Sequence, residues 1–253
     1  MYPFGEMAKG SHFGNQVALL TGASGGIGQA IARALAADGA SVALAYGSHA
    51  EPAQRLADEL IARGGHAVAV GADLRRPDAP AELLAAVEPQ LGSTVVLVAA
   101  AGLGRQQTLE EIEIEDFDEM LAVNLRAPFL LAQKTLPGMR ARGFGRILFV
   151  SSIAAFTGGI VGPHYAASKA GLHGLTHYLA TRAAGDGVTV NAIAPALITE
   201  TGMLPGEPEE LKTRVPVGRL GHPDEVADLA VAILRNPYLT NQVVSLDGGM
   251  YPR

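Results

Sequence analysis

A phenol and an ammonium stand four residues apart in Tyr165-Ala166-Ala167-Ser168-Lys169. On a helix that spacing places them on one face, one turn from each other. An ordinary tyrosine has a pKa of about 10 and exchanges protons slowly at neutral pH. A neighbouring cation favours the phenolate, so Lys169 is expected to lower the Tyr165 pKa toward the range of efficient general acid–base catalysis. Ser152, thirteen positions earlier, offers a hydroxyl to a polarised carbonyl oxygen, and Asn124 lies further upstream. Alone, a Tyr-x-x-x-Lys is a common accident of an amphipathic helix. Its company gives it weight.

That company begins with Thr21-Gly22-Ala23-Ser24-Gly25-Gly26-Ile27-Gly28, set between a short apolar run and a helical one. Glycines without Cβ let the backbone approach a pyrophosphate, and a helix N-terminus adds free N–H groups and a positive dipole end. The elements that must position these groups alternate along the chain. Strands are expected over 17–20, 41–46, 66–70 and 94–100, with helices over 27–37, 52–63 and 80–91. Asp38-Gly39 ends the first helix, since glycine accepts the left-handed C′ conformation. The unbroken Val-Val-Leu-Val of the fourth strand suits a strand covered on both faces. Helices over 114–123 and 125–142 follow, then a strand over 146–151. The Tyr165 helix runs to about 184, followed by a strand over 188–194, a helix over 223–234 and a strand over 242–246. This order predicts the α/β class: a single-domain Rossmann fold whose doubly wound parallel sheet has about seven strands. Residues 16–253 form the domain, 1–15 are expected as a flexible tail, and the Pro- and Gly-rich 196–220 as a mobile loop over the substrate.

Composition narrows the function. The 253 residues are 48% hydrophobic and 17% charged, enough for one large core. There is no cysteine, which excludes disulfides, thiolate catalysis and cysteine-ligated metals and fits a cytoplasmic setting. A net charge of −6 argues against nucleic acid as a partner. The longest apolar run, 95–101, is far short of the roughly 20 residues that span a bilayer, so no membrane is implied. Residues 1–15 have neither a basic start nor an apolar core, unlike a signal peptide. His173, His177 and His222 lack partners at ligand spacing, so no metal site is expected.

The glycine turn, Asn124, Ser152 and Tyr165-x-x-x-Lys169 together resemble the short-chain dehydrogenase/reductase superfamily from about Gln16 onward. Within it the likeness is to the 3-oxoacyl-[acyl-carrier-protein] reductases of fatty-acid and polyketide synthesis. The resemblance implies four catalytic residues. Tyr165 would give a proton to the carbonyl oxygen, Ser152 would hydrogen-bond it, Lys169 would hold the nicotinamide ribose, and Asn124 would hold a relay water. It also implies a dinucleotide along Gly22, Ser24, Gly26, Ile27 and Gly28, then Tyr46 and Ser48, with Asp73 and Leu74 at the adenine. Ala99, Ala101 and Gly102 would line its path, and Pro195, Ile198 and either Thr201 or Thr199 would face the nicotinamide beside Tyr165 and Lys169.

Tyr46 stands where NAD-specific relatives carry an acid, which favours NADP over NAD, and Ser48 and His49 offer donors to a 2′-phosphate. Against this, Gly25 replaces an arginine common in NADP-binding relatives. Other departures are Ala99-Ala100-Ala101-Gly102 for Asn-Asn-Ala-Gly, and Ala196 for the glycine after Pro195. Gly143 and Asp186 replace arginines that dock an acyl carrier protein, leaving Arg140, Arg142 and Arg182 nearby. His164 is expected at the rim or against substrate. Asp247-Gly248-Gly249 resembles the family's C-terminal signature at a subunit contact, and a homotetramer is implied. The expected function is NADP(H)-dependent reduction of a ketone to a secondary alcohol, on an acyl thioester or a carrier-bound acyl group. Turnover of a free alcohol, sugar or steroid is the second reading, and a non-catalytic nucleotide sensor the third.

Overall fold

Side-chain alternation in one strand decides how the sheet must be covered. In β4 (Thr94–Ala99), Val96 and Val98 join the core on one face, while Leu97 and Ala99 join the core on the other. Every residue of that strand is buried, so helices are needed on both sides. The computed structural model, which describes residues 11–14, 16–204 and 206–251, has that architecture.

The chain runs β1 (Val17–Thr21), α1 (Gly26–Ala37), β2 (Ser41–Tyr46), α2 (Ala50–Ala62), β3 (Ala67–Gly71) and α3 (Ala79–Leu91) before β4. Then come α4 (Ile114–Leu121), α5 (Ala127–Ala141), β5 (Gly145–Val150), α6 (Ala154–Thr157), α7 (Pro163–Ala183) and β6 (Val188–Pro195). The last elements are α8 (Pro208–Leu211), α9 (Pro223–Arg235) and β7 (Val243–Leu246). The seven strands are parallel in the order β3-β2-β1-β4-β5-β6-β7. Ile31 and Leu35 of α1, Leu56 of α2 and Ile233 of α9 fill one face. Leu83 of α3, Leu131 and Met139 of α5, and Leu172 of α7 fill the other. The order reverses between β1 and β4, and ligands of such sheets bind beyond the carboxyl ends of the strands at that crevice. The expected doubly wound, seven-stranded sheet is the one observed.

Three local features differ from the sequence reading. The helices expected over 114–123 and 125–142 are joined by a π-helical turn, Ala122–Arg126, so Asn124 sits inside a continuous helical run. Single π turns of this kind are placed by tertiary contacts and leave no periodicity to read. In the stretch expected as a tail, residues 1–10 and 15 lie outside the described residues. Phe13 within it is fully buried in the α1/α2 core, and its N–H donates to Asp38 O at 3.0 Å. A lone aromatic in a polar segment gives no pattern from which to infer this docking. The 196–220 segment holds α8 and a 3₁₀ turn, Lys212–Arg214, and buries Leu211, Val215 and Leu220. Its far end is closed by Thr199 N–H donating to Gly221 O and Gly221 N–H donating to Leu197 O, both at 2.9 Å.

Candidate active site

Asn124 is completely buried, and its carboxamide joins three parts of the chain. Oδ1 accepts from Leu103 N–H at 2.8 Å, and Nδ2 donates to Leu103 O at 3.0 Å, which fixes the loop after β4. Nδ2 also lies 3.0 Å from Ser168 Oγ, which in turn donates to Tyr165 O at 2.7 Å. Asn124 therefore connects the loop after β4 to the turn of α7 that carries Tyr165. Nδ2 lies 3.1 Å from Met120 Sδ as well, so the carboxamide is engaged by protein groups on both of its polar atoms.

Ser152 follows β5, and α7 brings Tyr165 to it, so that the two hydroxyls hydrogen-bond. Tyr165 is 8% exposed. Lys169 lies one turn further, its Nζ donating to Val150 O at 2.8 Å and sitting 5.8 Å from the centroid of the Tyr165 ring. The expected electrostatics need correction. Burial pushes the Tyr165 phenol up from its ordinary value, and the Ser152 hydrogen bond offsets this only in part. Burial also lowers the Lys169 ammonium to about 8. Lys169 is not among the causes that move the phenol; its Nζ is held by Val150 O and lies 5.8 Å from the centroid of the ring. In this state the phenol is loaded with its proton at neutral pH.

The glycine turn serves the protein backbone as much as any ligand. Gly22 has φ +75°, and a Cβ there would lie 2.8 Å from Ala101 N and Cα. Thr21 Oγ1 holds that same Ala101 by accepting its N–H at 3.1 Å. A Cβ at Gly28 would meet Gly22 O at 2.2 Å, and one at Gly26 would meet Glu200 O at 2.2 Å. Glu200 itself adopts φ +58°, and its carboxylate lies 3.3 Å from His222 Nε2. Gly25, the N-cap of α1, supplies no side-chain cap, and no acid occupies the first turn. An uncapped, acid-free helix start behind a close-packed glycine turn fits a pyrophosphate, so these residues suit a dinucleotide.

At the adenosine end, Tyr46 closes β2, and its ring would touch a Cβ on Gly71 at 3.3 Å. Ser48 and His49 pair with each other through Oγ and Nδ1 at 3.1 Å on the exposed rim. Asp73 is engaged by Arg75, whose Nε donates to Oδ1 at 2.7 Å and which holds the carboxylate below its usual range. Leu74 is buried beside it, and Ala99 ends β4 next to the Thr21-held Ala101. Gly102 continues that path: a Cβ there would meet Lys169 Nζ at 3.3 Å and Asn124 Oδ1 at 3.5 Å.

A cavity of about 400 Å³ opens between this crevice and the 196–220 segment. Ser152, Tyr165, Lys169, Ile27, Gly102, Pro195, Ile198 and Thr201, all singled out in the sequence, line it. Asn124, Gly22, Ser24, Gly26, Gly28, Tyr46, Ser48, Asp73, Leu74, Ala99 and Ala101 do not line it. The model of the short chain dehydrogenase family matches residues 16–212.

The chain belongs to the short-chain dehydrogenase family.

A short-chain dehydrogenase is an oxidoreductase, and the relatives fit. The chain is 37% identical over 240 residues to a 3-oxoacyl-[acyl-carrier-protein] reductase of Synechocystis, covering 93% of this chain and 96% of that one. It is 36% identical over 240 residues to the 3-oxoacyl-[acyl-carrier-protein] reductase FabG of Staphylococcus aureus, covering 92% and 97%. Among solved structures, a blue fluorescent protein from a metagenomic library in complex with NADPH superposes with a TM-score of 0.89 at 34% identity, covering 95% and 100%. A putative gluconate dehydrogenase from Agrobacterium tumefaciens gives 0.87 at 28%, covering 96% and 98%.

The sequence reading of this short-chain dehydrogenase missed much of the apolar wall. Ile153 and Ala154 adjoin Ser152, and Val161 is one turn before Tyr165, so adjacency alone would have found them. Met203, Leu204 and Arg214 lie in the 196–220 segment expected over the substrate but were not singled out within it, and Met250 arrives through the tertiary fold with no local signal. His164 is placed differently from expectation. It is 1% exposed and faces away from the cavity, against Gly162, and neither ring nitrogen has a protein partner among the described residues. Helix periodicity explains this, since residues adjacent in a helix point about 100° apart.

The Lys169 burial has a signed consequence. Its folded pKa of about 8 lies below the ordinary 10.5, so the unfolded chain binds more protons between those values. The cost of burying the charge is complete below pH 8 and lifts as pH rises toward 10.5. Denaturation of the nucleotide-free protein and of Lys169→Met should show the stability difference moving in favour of the unmutated protein across that window. A flat difference would mean that the ammonium is not desolvated.

Proposed function

We propose that this short-chain dehydrogenase uses NADP(H) to reduce a 3-oxoacyl thioester, or a small β-keto ester, to the 3-hydroxy compound. The observation that carries the reading is Ser152, Tyr165 and Lys169 lining one apolar-walled cavity beside the dinucleotide cradle. The names of the 3-oxoacyl-[acyl-carrier-protein] reductases at 37% and 36% identity support the substrate class.

When bound, NADPH supplies the hydride that the carbonyl carbon accepts. Tyr165 donates its proton to the carbonyl oxygen, for which a phenol kept protonated by burial is suited. Ser152 donates a hydrogen bond to the same oxygen as negative charge builds on it. Lys169, held by Val150 O, binds the ribose hydroxyls and stabilises the phenolate left behind. Gly22, Ser24, Gly26, Ile27 and Gly28 hold the pyrophosphate, and Pro195, Ile198 and Thr201 orient the nicotinamide. Thr201 is well placed for this: its hydroxyl donates to Ile198 O at 3.1 Å, which fixes its rotamer on the cavity wall.

A carrier protein is not required for turnover on this reading. Arg140 pairs with Asp186 at 3.0 Å, Arg142 donates to Gly138 O, and Arg182 lies over the Tyr178 ring at 3.9 Å. These cations are engaged within the chain and offer little net charge to an acidic partner.

Two experiments test the reading. Consumption of NADPH should be measured with a carrier-free β-keto ester. Tyr165→Phe should lose ~10²–10⁴-fold in kcat with NADPH binding retained; retention of more than about a tenth of the rate would remove Tyr165 from the acid role. Second, kcat/KM should be higher with NADPH than with NADH, and Tyr46→Asp should reverse the order by repelling a 2′-phosphate. Equal values in the unmutated protein would contradict the NADP assignment.

A further inference from the structure

Among the described residues, the cavity is lined by two cations and no acid. Its charged lining residues are Lys169, already engaged at the reacting end, and Arg214. Leu204 and Met250, which line the same cavity, pack against the apolar cluster of Leu211, Val215 and Leu220 that flanks Arg214 in sequence. Arg214 ends the 3₁₀ turn Lys212–Arg214, and the next residue, Val215, is buried at 6% exposure. A Cβ on Gly248 would meet Val215 Cγ1 at 2.5 Å, so the C-terminal segment clamps the backbone from which Arg214 extends. Arg214 is thus an exposed residue on a clamped stretch of backbone, at the lining of the cavity.

Its neighbours make the contrast. Lys212, two residues before it, pairs with Glu209, and Arg219, five residues after it, pairs with Glu225 at 2.6 Å. Among the described residues, no carboxylate pairs with Arg214. A guanidinium presents a rigid fork of donors matched to carboxylate and phosphate oxygens. Placed at the edge of an apolar cavity with no competing acid, it faces a lowered local dielectric on one side, which strengthens its attraction for an anion.

We propose that Arg214 is a specificity-determining residue that binds an anionic group, carboxylate or phosphate, on the substrate end away from the reacting carbonyl. It rests on the reading that the cavity takes a carbonyl substrate. The ligand is then an apolar chain with its ketone at Ser152 and Tyr165 and its charge at Arg214. The two sources of that charge are a terminal carboxylate of a keto acid and the phosphate of a phosphopantetheine-type thioester arm.

The test uses two matched pairs with NADPH: acetoacetyl-phosphopantetheine against acetoacetyl-pantetheine, and a 3-oxo-dicarboxylic monoester against its neutral diester. The unmutated protein should favour the anionic member of at least one pair in kcat/KM. Arg214→Ala should cut that anionic-to-neutral ratio about tenfold, mainly through KM, the scale of one charge-assisted hydrogen bond. Arg214→Lys should keep part of the ratio, since it retains charge without the fork. Lys212→Ala removes a charge from the same turn and should leave the ratio alone. The responding pair identifies the source of the anion.

The proposal is overturned if neither pair shows a preference, if Arg214→Ala lowers both members equally, or if its effect falls on the KM for NADPH. If no ketone is turned over at all, the proposed function fails instead. Binding of the same pairs to the NADPH-loaded protein by calorimetry then decides the Arg214 assignment by the same ratio.

Discussion

The site depends on one buried carboxamide. Asn124 holds the N–H and C=O of Leu103 and, through Ser168, the carbonyl of Tyr165. Without it, the half-buried Leu103 N–H and C=O would lose this partner, and the fully buried Ser168 Oγ would lose its donor. Each unsatisfied buried group costs about 1–3 kcal/mol, comparable with a large fraction of a domain's net stability. The loop after β4 and the catalytic turn of α7 are therefore held in one geometry by a residue that does not line the cavity. The π turn Ala122–Arg126 is the local irregularity that carries Asn124 at this junction.

Burial around this frame sets the chemistry. Tyr165 and Lys169 are both enclosed, so each neutral form is favoured: the phenol keeps its proton and the ammonium falls to about 8. Lys169 is retained in that setting by a main-chain acceptor, Val150 O, rather than by a carboxylate. A carboxylate partner would fix the ammonium more firmly and weaken its response to charge forming on the phenol. The neighbouring wall is apolar and is built by residues from 150–161 and from the 196–220 segment, together with Met250.

The fold was legible because its signals are local or periodic. The unbroken apolar run of β4 announced a central strand, and the glycine turn marked the β1–α1 junction. That Tyr165 and Lys169 come together was legible through spacing, since they share a helix face, and both line the cavity with Ser152. What failed to show has a common cause. The burial that moves the Tyr165 pKa upward is a property of packing, not of the four-residue spacing that suggested the opposite. Phe13, Arg214 and Met250 owe their places to contacts distant in sequence. The glycines also serve the protein itself, which the motif does not announce: Gly26 and Gly28 make room for Glu200 O and Gly22 O.

The central claim is that Asn124 acts by holding the Leu103 loop to the catalytic helix. Amide hydrogen exchange at Leu103 and NADPH-dependent turnover of a β-keto ester should be measured together in Asn124→Leu, a near-isosteric change that keeps the volume and removes the polar atoms. Loss of Leu103 protection accompanied by a fall in kcat of at least about tenfold is expected, since small misplacements of reacting groups have costs of that order or larger. Loss of Leu103 protection with kcat unchanged would contradict the account.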